Sequence, residues 1–226
     1  METDAGEPSF RQSFRRGVRD AIPLAIAVGL FGVSFGVLAE STGFGSWPAI
    51  VMSLTTFSGA AQFASLSIIR DGGGAAAAIT AAALLSARFV PIGLSVAPVL
   101  RGSLPARFVK AQMIIDESWA VAARGGGRFD AGALIGAGLL LYASWLAGTL
   151  AGVTGGGLLT DPEALGLDAA FPALFLALLA PNVRKRRLLV AALLGAGIAL
   201  ALVPFVRPGL PVVAASLACL VGWSRR

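Results

Sequence analysis

Three ionisable side chains lie where the chain leaves little room for charge: Arg88, inside the apolar region Ala75 to Leu100, and the adjacent acids Asp116 and Glu117, inside Met113 to Ala123. A charge at the centre of a membrane helix costs about 2.5–3.5 kcal/mol on insertion scales, so each needs a partner or a task. Arg88 can grip a carboxylate bidentately or pair with an internal acid; snorkelling, or a tight turn between two half-segments, accounts for it equally well. Asp116 and Glu117 are the natural partners of Arg88, and one of them can titrate. The alternative is an interfacial helix with a solvated acidic face, flanked by Arg107, Lys110 and Arg124. A second constellation is neutral. Thr55, Ser58, Gln62 and Ser65 follow a three-four-three spacing that puts all four on one helical face. Gln62 brings amide donors and an acceptor that hydrocarbon cannot satisfy, so it must face protein or water. Interhelical hydrogen bonding and the lining of a substrate or water pathway both fit this stripe.

Other chemistry is excluded by residue type. The chain has no histidine, which removes imidazole bases, histidine metal ligands and histidine-ligated haem. Its single cysteine, Cys219, has no partner for an intrachain disulfide and sits in an apolar run. There is no GxxxxGK[ST] loop, no HExxH, no paired CxxC and no nucleophile elbow. No enzyme, no cofactor and no metal site is expected.

The elements that must position these residues are membrane helices. Of 226 residues 56% are hydrophobic and only 13% charged, and the mean hydropathy is +0.81, too apolar for a chain that covers its surface with ionic groups. The net charge of +6 does not point to nucleic acid, because the basic residues flank membrane-length segments instead of forming a soluble basic domain. Uncharged stretches long enough to cross a bilayer are Ala21 to Ala39, Trp47 to Ile69, Gly132 to Val153 and Leu188 to Val206, with shorter ones at Ala169 to Asn182 and Leu210 to Trp223. Ala75 to Leu100, broken by Arg88 and Pro91, reads as two short pieces or one bent helix. The expectation is an all-α polytopic membrane protein of six to eight transmembrane helices, with one broken or re-entrant region around Arg88. A basic N-terminal segment, residues 1–19, precedes one transmembrane domain over 20–226. The first apolar segment is longer than a signal-peptide core and leads to Glu40, not to a small-residue cleavage site.

The distribution of arginine and lysine orients the chain. Arg11, Arg15, Arg16 and Arg19 put the N-terminus in the cytoplasm; Arg70, Arg124, Arg128, the run Arg184 to Arg187, and Arg225 with Arg226 fall on the same side. Glu40 to Trp47 and Gly155 to Asp168, which carry no basic residue, fall outside. An even number of crossings must then separate Arg70 from Arg124. Ala75 to Leu100 can enter and return as a hairpin, or cross once and be followed by a return through Leu104 to Ala123 that carries Asp116 and Glu117 into the membrane. Glycines recur at helical spacing, with Gly29, Gly32 and Gly36 on one face and Gly148, Gly152 and Gly156 on another, the pattern of helices packed backbone to backbone. Tyr142, Trp145 and Trp119 read as packing or interfacial aromatics.

Six blocks in order resemble the AzlC family, the larger subunit of bacterial branched-chain amino acid exporters. They are Pro23 with the glycine-rich first span, TTFSGAAQFASL at Thr55 to Leu66, LLSARFVPIGLSVAPVL at Leu84 to Leu100, IIDESWAVA at Ile114 to Ala122, YASWLAGTLAG at Tyr142 to Gly152, and GLDAAFPALFLALL at Gly166 to Leu179. Ser86 and Phe89 depart from the family, which usually has asparagine and histidine or tyrosine there. The resemblance implies an inner-membrane permease that exports branched-chain or similar neutral amino acids, is coupled to the proton motive force, and works with a small AzlD-type membrane subunit. On that reading Thr55, Ser58, Gln62 and Arg88 are the substrate-binding candidates. Arg88 or a half-helix N-terminus takes the carboxylate, Ser58 and Gln62 the ammonium, and Phe57 and Phe63 shape the aliphatic pocket. Asp116 or Glu117 carries the coupling proton. A non-transporting membrane scaffold and an uncoupled small-solute channel are the alternatives.

Overall fold

A computed structural model describes residues 9–156, 186–206 and 210–218, together with Leu176. The expected span Ala169 to Asn182, except Leu176, lies outside these residues, as do Arg184, Lys185, Cys219 and the terminal arginines. The regular structure of the described residues is helical, with short 3-10 helices at Ala97–Val99 and Ser216–Ala218, apart from one isolated β-bridge, Ala123 to Phe129. Its helices are α1 Phe10–Ser41, α2 Ser46–Thr55, α3 Gly59–Arg70, α4 Ala75–Ser86, α5 Phe89–Val96, α6 Leu104–Ala111, α7 Asp116–Ala122, α8 Ala131–Gly155, α9 Arg186–Leu202 and α10 Leu210–Ala215. Among the described residues α1 and α8 are long and apolar enough to cross a membrane, and α4 with α5, bent by 42°, is so only as a pair. The basic residues Arg11 to Arg19 lie in the opening turns of α1, which Ser9 and Gln12 cap.

The frame is the pair α1 and α8, joined by the glycines on their facing sides. A methyl group at Gly32 would meet the backbone of Trp145, Gly148 and Thr149, and one at Gly36 that of Thr149, Gly152 and Val153. Near the other end Gly17 abuts Ala133. Because residue numbers rise together along both helices, α1 and α8 run parallel. Glycine at these positions lets the two backbones touch, which replaces the hydrophobic drive that lipid does not supply.

The region expected as one span, Trp47 to Ile69, is instead a hairpin. Thr56 to Ser58 leave helical geometry between α2 and α3, and Gln62 Nε2 reaches back to Ser53 Oγ at 3.1 Å. Phe44, at the start of the hairpin, lines one surface groove with Ile69 and Ala75 at its end. Arg70 therefore lies at the Phe44 end of α1, opposite the N-terminus, and pairs with Asp71 at 3.1 Å. This corrects the placement of Arg70 beside Arg124, which assumed that the run crosses. Its α2 and α3, at about 15 and 18 Å, are each half a bilayer long. Gly72, at φ +82°, turns the chain into α4 in a conformation that a side chain would strain. From there α4 and α5 cross toward the N-terminal end of α1.

A second hairpin enters from that end. Trp119 Nε1 donates to Ser95 Oγ at 2.9 Å, and Ala122 clusters with Val96, Leu100 and Leu134, so α7 descends alongside α5. Before it, α6 rises and the chain turns at Gln112 to Ile115. Neither arrangement expected between Arg70 and Arg124 holds: Ala75 to Leu100 crosses once, and Leu104 to Ala123 turns back at mid-depth without crossing. The acids at its tip still reach the interior.

Candidate functional site

The two hairpin tips meet against the middle of α1 and α8 and leave a cavity of about 140 Å³. The broken helices put three kinds of group there. Ser58, Gly59 and Ala60 come from the start of α3, Arg88 and Phe89 from the bend between α4 and α5, and Ile115, Asp116 and Glu117 from the start of α7. Leu24, Val28 and Phe31 of α1 with Trp145 of α8 and Phe57 form the apolar wall.

Arg88 Nη2 stands 3.1 Å from Asp116 Oδ2, with the side chains 34% and 36% exposed. The guanidinium also lies 5.1 Å from the Phe89 ring centroid, within cation–π range, while its buried Nε has no hydrogen-bond partner. Asp116 and Glu117 occupy the first turn of α7, where the helix dipole favours negative charge. With Arg88 they leave the site one formal negative charge.

Of the neutral stripe, only Ser58 reaches the cavity. The residue is 5% exposed, and its buried Oγ makes no hydrogen bond. Thr55 turns away and donates to the Val51 carbonyl at 2.8 Å, and Ser65 donates to the Ala78 carbonyl at 3.4 Å. Gln62, fully buried, belongs to a separate network. Ser53 Oγ accepts from Gln62 Nε2 at 3.1 Å and from Trp145 Nε1 at 3.2 Å. Both are donors only, so Ser53 must give its own proton to Thr149 Oγ1 at 3.0 Å, and Thr149 donates to the Trp145 carbonyl at 3.0 Å. This chain fixes the indole that walls the cavity, and Phe35 and Phe63 pack around the same ring at 6.0 and 6.3 Å. Phe63 thus supports the wall from behind, whereas Phe57 lines it.

The tips are fastened by two residues that the sequence did not single out for this task. Tyr142 Oη donates to the Leu54 carbonyl at 2.8 Å, and Gln112 Nε2 donates to the Thr55 carbonyl at 3.0 Å. The end of α2 has carbonyls without helical partners, and these side chains cap them. Gln112 carried the same signal as Gln62, an amide beside an apolar run. Among the described residues no group of three or more acids or cysteines could hold a metal ion.

Residues 23–159 match the family model described as AzlC protein. An uncharacterized membrane protein of Archaeoglobus fulgidus is 33% identical over 93% of this chain and 94% of its own length. The inner membrane protein YgaZ of Escherichia coli is 30% identical over 87% of this chain and 85% of its own. The branched-chain amino acid transport protein AzlC of Bacillus subtilis is 25% identical over 84% and 75%. No solved structure matches. A helical membrane protein with interrupted segments around a central charged cavity, matched over most of its length by these relatives, this chain belongs to the AzlC family of membrane transport proteins.

Proposed function

We propose that the protein is a secondary transporter that exports branched-chain or similar neutral amino acids across the bacterial inner membrane, driven by the proton motive force and assembled with a small AzlD-type subunit. The observation that carries this reading is the Arg88–Asp116 ion pair inside a small cavity with one charged and one apolar side. A cavity of about 150 Å³ is large enough for benzene, so the space here suits a solute of that order, such as valine. Irregular backbone at membrane depth is tolerated where it lines such a site, and discontinuous segments are where transporters bind their substrates.

Asp116 supplies the proton step in this reading. Protonation removes its charge and frees Arg88, and deprotonation restores the pair, so the site alternates between two electrostatic states as a proton passes. The N-terminal end of α1 faces the cytoplasm, because Arg11, Arg15, Arg16, Arg19, Arg124 and Arg128 gather there and Arg70 at the opposite end is neutralised by Asp71.

The test is efflux of preloaded labelled valine from cells expressing the chain with and without the small subunit, with an uncoupler as control. Partner-dependent, uncoupler-sensitive efflux that Asp116→Asn abolishes at unchanged membrane level is the expected result. Absence of efflux for every neutral amino acid would favour the scaffold, and flux without saturation or counterflow would favour the channel.

A further inference from the structure

The cavity is electrically lopsided, and its two ends call for different charges. At one end α3 begins. Helix α3 has 12 residues and no side-chain cap, and the amides of Gly59 and Ala60, which line the cavity, have no partner within the helix. The hydroxyl of Ser58 beside them is nine-tenths buried, unpartnered and turned to the same space. Its backbone is extended, as a cap residue's would be, yet its Oγ does not cap; the hydroxyl proton is left to serve an acceptor from elsewhere. Across the cavity stand Asp116 and Glu117, and the only cation there, Arg88 among the described residues, is already engaged by Asp116 at 3.1 Å.

We infer that the N-terminus of α3, completed by the Ser58 hydroxyl, is the subsite for the substrate's carboxylate, and that Glu117 faces its ammonium group. This rests on the reading of the substrate as a neutral amino acid, and it reverses the expected role of Ser58 as an ammonium ligand. A carboxylate is matched by unpaired N–H groups at the positive end of a helix and by one hydroxyl donor. An ammonium is matched by the acid left uncompensated by Arg88. The approach is narrow: a methyl group at Gly59 would press on the Trp145 ring at 3.0–3.1 Å, so a compact carboxylate fits where a longer polar group would not. The site then reads both ends of a zwitterion and discriminates against amines and carboxylic acids that have only one.

The experiment is competition against labelled valine in vesicles holding the full chain and its small subunit, with valine, valinamide and 3-methylbutanoate as competitors. Wild-type protein should favour valine over valinamide, and over 3-methylbutanoate, by about tenfold or more, the scale of a hydrogen bond to a charged group. Ser58→Ala should collapse the valine-to-valinamide preference while leaving the constant for valinamide in place, and Ser58→Thr, which keeps the hydroxyl, should retain it. Glu117→Gln should collapse only the preference over 3-methylbutanoate, which gives a second, independent reading should Ser58→Ala fail to fold. A Ser58→Ala protein that weakens valine and valinamide equally, or Glu117→Gln that erases the valinamide preference instead, overturns this assignment while the transporter reading stands. Wild-type protein that binds no neutral amino acid overturns both.

Discussion

Gln112 Nε2 and the Thr55 carbonyl, 3.0 Å apart, join the tips of two hairpins that enter from opposite ends of α1 and α8. With the Tyr142 hydroxyl on Leu54 this contact closes the end of α2 above the cavity. Replacing Gln112 with Ala removes the link between the tips without touching the cavity wall. We expect a stability loss of about 1 kcal/mol in thermal unfolding, the net worth of one such bond, accompanied by impaired transport. Full transport by Gln112→Ala would show that the tips need no fastening.

Ser53 is the acceptor on which two buried donors depend. Ser53→Ala strands Gln62 Nε2 and Trp145 Nε1 together, at about 1–3 kcal/mol for each unsatisfied group. Thr149→Val removes one hydroxyl partner and should cost less. Unfolding in detergent ranks the two variants, and an equal or reversed order would contradict the assigned direction of the network.

Gly148 faces the carbonyl of Gly29 so closely that no side chain fits between them. Gly148→Val must push the α1 and α8 backbones apart, and overpacking of this kind costs about 1–3 kcal/mol or more. Gly155→Ala at the end of the same helix, where nothing lies within 4 Å, should be neutral. Expression and monodispersity of the purified variants provide the comparison.

Asp130 caps α8 through the Ala133 amide at 2.9 Å and pairs with Arg16 at 3.0 Å and Arg124 at 2.5 Å. Burial pushes its carboxyl up, but the Ala133 amide, the Ser13 hydroxyl and Arg124 outweigh burial and hold its pKa below the usual value. The folded protein thus binds this proton less readily than the unfolded chain. The resulting stability is complete above the ordinary aspartate pKa of about 3.9 and is lost as pH falls through the lower, native value. Asp130→Asn keeps the cap but not the charge. It should cost about 1–2 kcal/mol at pH 7 and lose its difference from wild type in strong acid, as melting curves from pH 7 downward would record.

Much of this arrangement was written in local residue patterns. The glycines at helical spacing on two segments do meet, because only they allow backbone contact, and the lone arginine in an apolar run does pair with Asp116, one of the two adjacent acids. The hairpins were not legible. Two arms of 10 and 12 residues joined by three residues have the same length and hydropathy as one full crossing, so Trp47 to Ile69 satisfies the criterion for a span without being one. The polar stripe misled for the same reason. Its helical spacing assumes a continuous helix, and the break at Thr56 to Ser58 sends Thr55, Ser58 and Gln62 to three different surroundings. Gln112 and Tyr142 act on backbone carbonyls that become free only because of that break.

The glycine seam between α1 and α8 also dictates an order of assembly. Gly32 and Gly36 are synthesised early, while Gly148 and Gly152, their counterparts, follow only after both hairpins and the bent span have been made. During biogenesis the intervening segments must wait in the membrane with their half-depth arms and the Arg88–Asp116 pair lacking the α8 surface that seats them. A ribosome-released fragment ending before Ala131 would have every charged residue of the cavity but only α1 of the frame that holds it.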